Sequence, residues 1–315
     1  MNPLANLFGA AVAVRNALYD SGVFPSRRLQ RPVVSIGNLS VGGSGKTPFV
    51  MTLGELLKTR DIRFDVLSRG YGRETRGISI VDPGGLPQQF GDEPLLIARR
   101  LGVPVIIGED RHAAGVLAEN RFDSRLHLLD DGFQHRSLAR DFDVLLVTPD
   151  DARDRLLPAG RLREPLSAVR RADAIVLTGG ASAENFPLDG KLVWRARRGI
   201  LPHNVPPRPV AFCGIARPQN FLLQLRTAGV EVAAEAVFRD HYRYNEKDIR
   251  ELIALREQSG AGGFVTTEKD AVNLGGYFSA LEPLTVVPVK MDIADADGAV
   301  ETILNTVAAR RGQPL

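Results

Sequence analysis

The segment from Gly42 to Thr47, which reads Gly-Gly-Ser-Gly-Lys-Thr, places the strongest constraint on the fold of this 315-residue chain. A short apolar, β-branched run at 32–36 precedes it, and apolar residues at helical spacing follow at 48–57. A glycine-rich turn between a strand and a helix is the setting of a phosphate-binding loop, whose backbone N–H groups surround a phosphate. The pattern therefore predicts a P-loop that binds a nucleoside triphosphate.

Within this loop, Lys46 supplies positive charge and the hydroxyl of Thr47 is a candidate ligand of Mg²⁺. The full P-loop pattern has a glycine five residues before Gly45, where this chain has Ser40, so the two adjacent glycines would make the turn instead. ATPases of the partitioning type carry a lysine before such a pair, and Val41 at that position argues against their class. The alternative is an ordinary Gly/Ser turn. The candidate nucleotide-binding residues are Ser40, Val41, Gly42, Gly43, Ser44, Gly45, Lys46 and Thr47.

The composition is that of an ordinary globular protein, with 44% hydrophobic and 24% charged residues. A net charge of +3 is too small to argue for a nucleic-acid partner, and we expect none. The single cysteine, Cys213, lies in an apolar run, which predicts a buried thiol in a reducing compartment. The length suffices for one large or two medium domains.

Strands and helices alternate from residue 32 to about residue 180, which predicts a mostly parallel sheet covered on both faces. A second α/β unit begins at Val210, after a proline-rich stretch. We therefore predict an α/β fold with a P-loop NTPase-like sheet, a second, smaller α/β lobe, and the active site in the cleft between them. The predicted parts are an N-terminal helix at 1–30, a nucleotide-binding domain at 31–190, a linker at 191–209 and a second domain at 210–315.

The N-terminal segment has an apolar face next to a basic cluster formed by Arg27, Arg28 and Arg31. Its apolar run ends at Arg15, short of the ~20 residues that a membrane-spanning helix needs. It also has no basic start followed by a small-residue cleavage site, so it does not resemble a signal peptide. Such a helix can lie in the interface of an anionic membrane or pack on its own domain, and the sequence leaves both possibilities open.

Polar segments follow several predicted strands, at the sheet edge where α/β folds bind ligands. Asp130 and Asp131 end an apolar strand, as expected for the acidic partner that holds Mg²⁺ beside a P-loop, although a solvated acidic turn would look the same. The loop at 68–73 combines arginines with glycines, which suits an anionic or sugar ligand.

Other polar residues assign no function by themselves. Asp92 precedes a predicted helix and is explained equally well as a helix cap. His241 lies near a strand end, where a hydrogen-bonded surface histidine is common. The segment at 266–270, Thr-Thr-Glu-Lys-Asp, weakly resembles the base-reading segment of GTPases, which has asparagine before the lysine.

Taken together, these segments resemble the tetraacyldisaccharide 4'-kinases, which phosphorylate the lipid A precursor of Gram-negative bacteria. The matches span nearly the whole chain in order, and the combination is far more specific than any one of them. The matching stretches are GNL (37–39) running into GGSGKTP, SRGYGR (68–73), GDEP (91–94), DDGFQH (130–135), LPAGRLREP (157–165), the pair Asp240-His241 and TEKDAV (267–272).

The resemblance implies a P-loop kinase that transfers the γ-phosphate of ATP to the 4'-hydroxyl of a tetraacyldisaccharide 1-phosphate, giving lipid IVA. It implies ATP and Mg²⁺ as cofactors. It also implies peripheral attachment to the cytoplasmic face of the bacterial inner membrane, with the oligomeric state left undefined. Two alternatives stay open: a soluble P-loop kinase or ligase acting on a small molecule, and a GTP-dependent switch protein.

The resemblance also implies roles for individual residues. Asp92 and His241 would form a catalytic pair that handles the attacking hydroxyl, with Asp92 as the proton acceptor oriented by His241. Because the two lie in different predicted lobes, we expect closure of the cleft to assemble the site. The implied positions are Asp92, His241 and Lys46 for catalysis, Thr47, Asp130 and Asp131 for the metal, and Arg69, Tyr71, Arg73, Arg163 and Glu164 for the substrate.

Overall fold

The computed structural model describes residues 3–313, so the first two and the last two positions of the predicted parts lie outside the described residues. The helices are α1 (Pro3–Asp20), α2 (Lys46–Lys58), α3 (Pro87–Phe90), α4 (Asp92–Leu101), α5 (Arg111–Arg121), α6 (Pro218–Thr227), α7 (Glu246–Ser259), α8 (Glu268–Leu274) and α9 (Ala296–Arg311). The strands are β1 (Val33–Asn38), β2 (Phe64–Ser68), β3 (Ser79–Ile80), β4 (Val105–Ile107), β5 (Leu126–Asp130), β6 (Phe142–Val147), β7 (Ala174–Thr178), β8 (Leu192–Ile200), β9 (Val210–Cys213), β10 (Ala234–Val237), β11 (Phe264–Thr267), β12 (Leu284–Val287) and β13 (Val289–Ile293).

The large sheet has the strand order β13-β8-β7-β6-β1-β5-β2-β4-β3. Its inner pairs are parallel, and only the edge strands β13 and β3 pair antiparallel with their neighbours. This arrangement confirms the predicted α/β fold with a mostly parallel sheet. Because β1 lies between β6 and β5, the loop that follows β1 leaves from the middle of the sheet, next to the carboxyl end of β5.

Helices on both faces bury the central strands completely, which explains why those strands are almost continuously apolar. Helices α2, α4 and α9 cover one face, where Phe49, Leu95 and Ile303 belong to one hydrophobic cluster. Helix α5 covers the other face, where Ala114 and Ala118 pack near Leu29. The C-terminal helix therefore completes the core of the large sheet.

The second sheet contains four parallel strands in the order β10-β9-β11-β12. Helix α6 packs on one side of it, and helices α7 and α8 pack on the other. This sheet is the second, smaller α/β unit that the sequence predicts.

The two sheets are joined by a pair of strands at the edge of the large sheet. The chain leaves along β8 and returns along β13, and the two pair antiparallel from Val289 with Ile200 to Ile293 with Ala196. The division of the chain at 191–209 stays a prediction. The pairing of β8 with β13 shows that the segments immediately before and after the second sheet both belong to the large sheet.

Helix α1 lies on the surface of the large-sheet unit. Its inner side buries Val12, and the Asn16 amide donates to the Glu164 carboxylate at 2.8 Å. Its outer side exposes Leu7 and Val14, by 69% and 59% respectively. Within residues 3–313, no helix is both long enough and apolar enough to cross a membrane.

Candidate active site

The loop after β1 has a backbone that can surround a phosphate. Gly42, Gly43 and Gly45 have φ values of 80°, 59° and 88°, a region that glycine adopts without steric cost. Helix α2 begins at Lys46, so its unpaired N-terminal amides lie at the end of the loop, where an anion is stabilised. A Cβ on Gly45 would approach only the flexible terminal methyl of Met291, at 2.8 Å, so the backbone angle, φ 88°, is what favours glycine at this position.

The stretch at 157–165 lies beside this loop and is hydrogen-bonded to it. The Val41 amide donates to the Arg161 carbonyl at 2.9 Å, and the Arg163 amide donates to the Leu39 carbonyl at 2.7 Å. This antiparallel contact explains how LPAGRLREP, distant in sequence, brings the Arg163 side chain to the end of β1.

Two cations converge on Asp131. The Arg163 guanidinium donates to both carboxylate oxygens, at 2.8 and 3.0 Å, and the Lys46 Nζ lies 3.5 Å from one of them. Lys46 and Arg163 also bond to the Asn38 side chain at the end of β1. Burial opposes ionisation of Asp131, but the charges of Lys46 and Arg163 outweigh it and hold its pKa well below the usual range.

Asp130 lies in the opposite electrostatic situation. It is 2% exposed, and burial together with the charges of Glu93 and Asp131 raises its pKa to about 7. One of its oxygens accepts a hydrogen bond from Ser68 at 3.2 Å, while the other is buried and finds no hydrogen-bond partner among residues 3–313. A buried carboxylate oxygen without a partner is a position that a bound cation would satisfy.

The donor set fits Mg²⁺ bound together with a nucleotide. In the described part of the chain, no group of three or more His, Cys, Asp or Glu side chains is arranged to hold a metal. Mg²⁺ needs only one or two protein carboxylates when phosphates and waters supply its other ligands. Asp130 and Asp131 adjoin the loop, and Thr47 lies in the first turn of α2. These residues fit a metal site that nucleotide phosphates would complete.

Asp92 and His241 are in direct contact, although 149 residues separate them. The Nδ1 atom of His241 lies 2.8 Å from the Oδ2 atom and 3.0 Å from the Oδ1 atom of Asp92. The Asn273 side chain donates to Oδ2 at 3.2 Å, and the Glu93 amide donates to Oδ1 at 2.9 Å. Asp92 begins α4, while His241 follows β10 with a left-handed backbone (φ 57°), a strained conformation typical of functional positions.

The surroundings of the pair favour the ionised forms of both Asp92 and His241. Burial is the largest influence and disfavours both charges, but the mutual hydrogen bond and charge attraction, together with Lys269 and Asn273 beside Asp92 and with Asp240 beside His241, outweigh it. The net result is a lowered pKa of Asp92 and a raised pKa of His241. Both Asp92 oxygens already accept hydrogen bonds, and this side chain is only 6% exposed. The His241 side chain is 28% exposed, so it is the member of the pair that a substrate can reach.

The candidate substrate residues fall into two groups. Tyr71 is exposed and meets the His241 ring edge-on, with 5.5 Å between the ring centroids, and Arg69 is exposed in the same loop. Arg73 donates to the Gly77 carbonyl and so fastens its own loop. Glu164 is fully buried and paired with Arg171 and Asn16, which places it behind Arg163, away from the exposed residues.

Sequence reasoning missed Arg111, whose side chain belongs to the same region. It is buried at the start of α5, and burial together with the charge of Arg69 lowers its pKa to about 10. Its Nε atom finds no hydrogen-bond partner within the described chain. The signal was available, because Arg111 follows β4 at the same sheet edge as the other polar segments.

The segment at 266–270 does not have the geometry of a base-reading loop. The Asp270 carboxylate is fully buried and accepts hydrogen bonds from the Gly214 amide at 2.7 Å and the Tyr244 hydroxyl at 2.8 Å. Because these groups are inside the second unit, Asp270 fastens β9 to α8. The neighbouring Lys269 instead points to the pair, with its Nζ 3.1 Å from the His241 Nε2 atom.

Comparison with known proteins gives a consistent result over the whole chain. The family model described as LpxK, tetraacyldisaccharide-1-P 4'-kinase, matches residues 1–308. The tetraacyldisaccharide 4'-kinase of Koribacter versatilis is 51% identical over 322 aligned residues, covering 99% of this chain and 100% of the relative. That of Aquifex aeolicus is 40% identical over 293 residues, covering 87% of this chain and 89% of the relative. A crystal structure of LpxK from Aquifex aeolicus in complex with ATP superposes with a TM-score of 0.81 at 37% identity, covering 97% of this chain and 98% of that one.

Proposed function

The chain belongs to the tetraacyldisaccharide-1-P 4'-kinase family, and from this premise we propose how its site transfers the γ-phosphate of ATP to the 4'-hydroxyl of the lipid A precursor tetraacyldisaccharide 1-phosphate, giving lipid IVA. The family match confirms the resemblance seen in the sequence. The observation that carries the proposal is the Asp92–His241 contact beside the P-loop carboxylates. The charge of Glu93, next to Asp92, contributes to the raised pKa of Asp130, which supports the proposal that the proton-handling pair and the phosphate-binding residues act in one site.

Phosphoryl transfer needs neutralised charge and aligned atoms more than covalent help from the protein. We propose that the amides of the loop at 40–47 and the Lys46 ammonium hold the β- and γ-phosphates. Lys46 would exchange its present contacts with Asn38 and Asp131 for phosphate oxygens, while Arg163 stays on Asp131. Thr47 with Asp130 or Asp131 would hold Mg²⁺, which when bound neutralises charge on the phosphate oxygens.

A sugar hydroxyl is a poor nucleophile, so a group that accepts its proton during attack accelerates the transfer. We propose that Nε2 of His241 accepts this proton while Asp92 holds the Nδ1–H and stabilises the resulting imidazolium. The support is geometric: three donors already occupy the Asp92 oxygens, and the imidazole is the more exposed member of the pair. This proposal differs from the sequence-based expectation, in which Asp92 accepts the proton and His241 orients it.

We propose that the outer side of α1 docks on the surface of an anionic membrane, at the cytoplasmic face of the inner membrane. Leu7 and Val14 are exposed on this side, and Phe24 and the 56% exposed side chain of Arg28 follow the helix. An exposed apolar face next to basic residues suits an anionic interface. The acyl chains of the lipid substrate would lie in the same surface.

The experiment that tests the function supplies γ-labelled ATP and the tetraacyldisaccharide 1-phosphate in detergent micelles, and asks whether label appears in the lipid. The expected result is labelled lipid with the parent protein and none with Lys46→Ala. Label appearing only in soluble sugar acceptors without micelles would indicate a small-molecule kinase. Hydrolysis of GTP in preference to ATP, without transfer, would indicate a switch protein.

A further inference from the structure

The segment at 266–270, which the proposed mechanism leaves unused, fastens the second unit to the helix that carries Asp92. Thr267 caps α8 by accepting a hydrogen bond from the Asp270 amide. The Glu268 carboxylate accepts a 2.7 Å bond from Arg100 near the end of α4. Helices α8 and α4 are therefore joined at both ends, because Asn273 also donates to Asp92. This joint holds the residue at position 269 against the catalytic pair.

Lys269 is a nearly buried ammonium surrounded by acceptors. Its Nζ atom lies 3.1 Å from Nε2 of His241, 3.3 Å from Asp240, 3.6 Å from Glu93 and 3.8 Å from Asp92. Its side chain is 16% exposed. An ammonium has three protons to donate and no acceptor site, so this neighbourhood offers it more acceptors than it can satisfy at one time.

This contact determines which ring nitrogen of His241 carries the proton. Because an ammonium only donates, the Nε2 atom that faces Lys269 must present its lone pair. The proton of the neutral ring then lies on Nδ1, where it donates to Asp92. The opposite tautomer would direct an N–H at the ammonium and leave Nδ1 without a proton to donate to the carboxylate.

We propose that Lys269 is a positioning residue for the phosphoryl transfer: it keeps Nε2 of His241 unprotonated, and it turns to Asp240 and Glu93 when the acceptor hydroxyl arrives. This inference rests on the proposed function. In the step itself, the hydroxyl proton passes to Nε2 and the oxygen forms its bond to the γ-phosphorus, while the bond between that phosphorus and the β–γ bridging oxygen breaks. Nδ1 keeps its proton toward Asp92, and Lys269 keeps all three of its own.

The charges around His241 determine the direction in which its pKa should shift when Lys269 is replaced. Asp92 and Asp240 favour the protonated ring, Lys269 opposes it, Glu93 lies beside Lys269, and the Tyr71 ring covers one edge. Removing the ammonium leaves carboxylates alone around the imidazole. His241 then holds a second proton to higher pH, and the fraction of enzyme ready to accept the substrate proton falls.

The test is the pH dependence of kcat/KM for Lys269→Met and Lys269→Arg in the full-length protein. For Lys269→Met we expect the acidic limb of the kcat/KM–pH profile to move to higher pH by about one unit. At pH values below the limb, kcat/KM should then be about tenfold lower than in the parent protein, and above the limb it should return to the parent value. Lys269→Arg keeps the positive charge and should keep the limb in place. Lys247→Met is the matched control, since Lys247 is an exposed lysine of α7 that pairs only with the surface residue Glu251 among the contacts described.

An equal loss at every pH in Lys269→Met, or an unmoved limb, would overturn the inference. A second measurement does not depend on a Lys269 variant folding: the ¹⁵N imidazole signals of the parent protein, with the His241 signals assigned by comparison with His241→Gln. We expect Nδ1 protonated and Nε2 unprotonated, and the opposite tautomer would also overturn it. If the parent protein labels no lipid, the proposed function itself fails, which is a separate outcome.

Discussion

The P-loop with its carboxylates and the Asp92–His241 pair are the two halves of the proposed site, and they are assembled in different ways. The first is built from loops that leave neighbouring strands of a single sheet, β1 and β5. The second joins a helix beside that sheet to a loop of the other sheet, held through Asn273 and Lys269. The proposed phosphate-binding half is therefore fixed by local geometry, whereas the proposed proton-handling half depends on how the two units pack.

The largest effect is expected in the locally built half. Lys46→Ala removes the cation that the P-loop directs at the phosphates, and we expect turnover to fall by about 10³-fold or more, as for other charge-stabilising groups in phosphoryl transfer. Initial-rate measurements at saturating ATP test this. Lys58→Ala is the matched control. Lys58 lies at the other end of the same helix, where its ammonium donates to the Leu101 carbonyl and does not face the P-loop. Near-normal turnover of Lys46→Ala would remove the P-loop from the mechanism.

The jointly built half should show a smaller but still large effect. Asp92→Asn or His241→Gln is expected to reduce kcat by about 10²–10⁴-fold, the usual contribution of general base catalysis. Because the two residues act as one unit, the double variant should lose little more than either single one. His203→Gln, which replaces an exposed histidine, is the control. Fully multiplicative losses would show that the two side chains act separately.

Arg163→Met tests whether activity requires the opposite pKa shifts of Asp130 and Asp131. Without the two hydrogen bonds from Arg163, Asp131 keeps only Lys46 as a cationic partner among the ion pairs of the described chain. We expect a loss of about 10–10²-fold and a higher Mg²⁺ requirement, and we expect Arg163→Lys to rescue poorly, because a lysine cannot form the bidentate contact. Arg161→Met, which changes a half-buried neighbour whose guanidinium pairs with Asp150 and Asp154 and not with Asp131, is the control. An unchanged Mg²⁺ dependence would argue against this role for Arg163.

The sequence predicts the locally built half of the proposed site better than the half that depends on packing between the two units. The glycine loop and Asp130-Asp131 were identifiable because strand, turn and helix are contiguous and the ends of parallel strands meet at one edge. The positions of Lys269 and Asn273 were not predictable, because they depend on the packing of α8 against α4. The division of residues 284–293 into β12 and β13 depends likewise on packing, since the chain there passes from the second sheet back to the first.

The smallest effect on chemistry is expected at α1, which contacts the locally built half through Asn16 and the buried Glu164, next to Arg163. Removing residues 1–24 would also strip this contact, so substitutions on the outer side of the helix are the sharper test of membrane docking. Leu7→Asn with Val14→Asn should reduce co-sedimentation with anionic vesicles several-fold, since each exposed apolar side chain contributes up to about 1.5–3 kcal/mol when buried.

The kcat of this double variant on substrate in detergent micelles should stay within about twofold of the parent, because substitutions at surface positions away from the site usually change stability little. Leu223→Asn is the matched control, since it removes an equally exposed leucine, 60% accessible, from α6 of the second unit. If Leu223→Asn weakens sedimentation as much as the α1 variant does, attachment is a property of the whole surface. If neither variant changes it, α1 is a surface helix whose function is to support Glu164, and the membrane must be reached through another face.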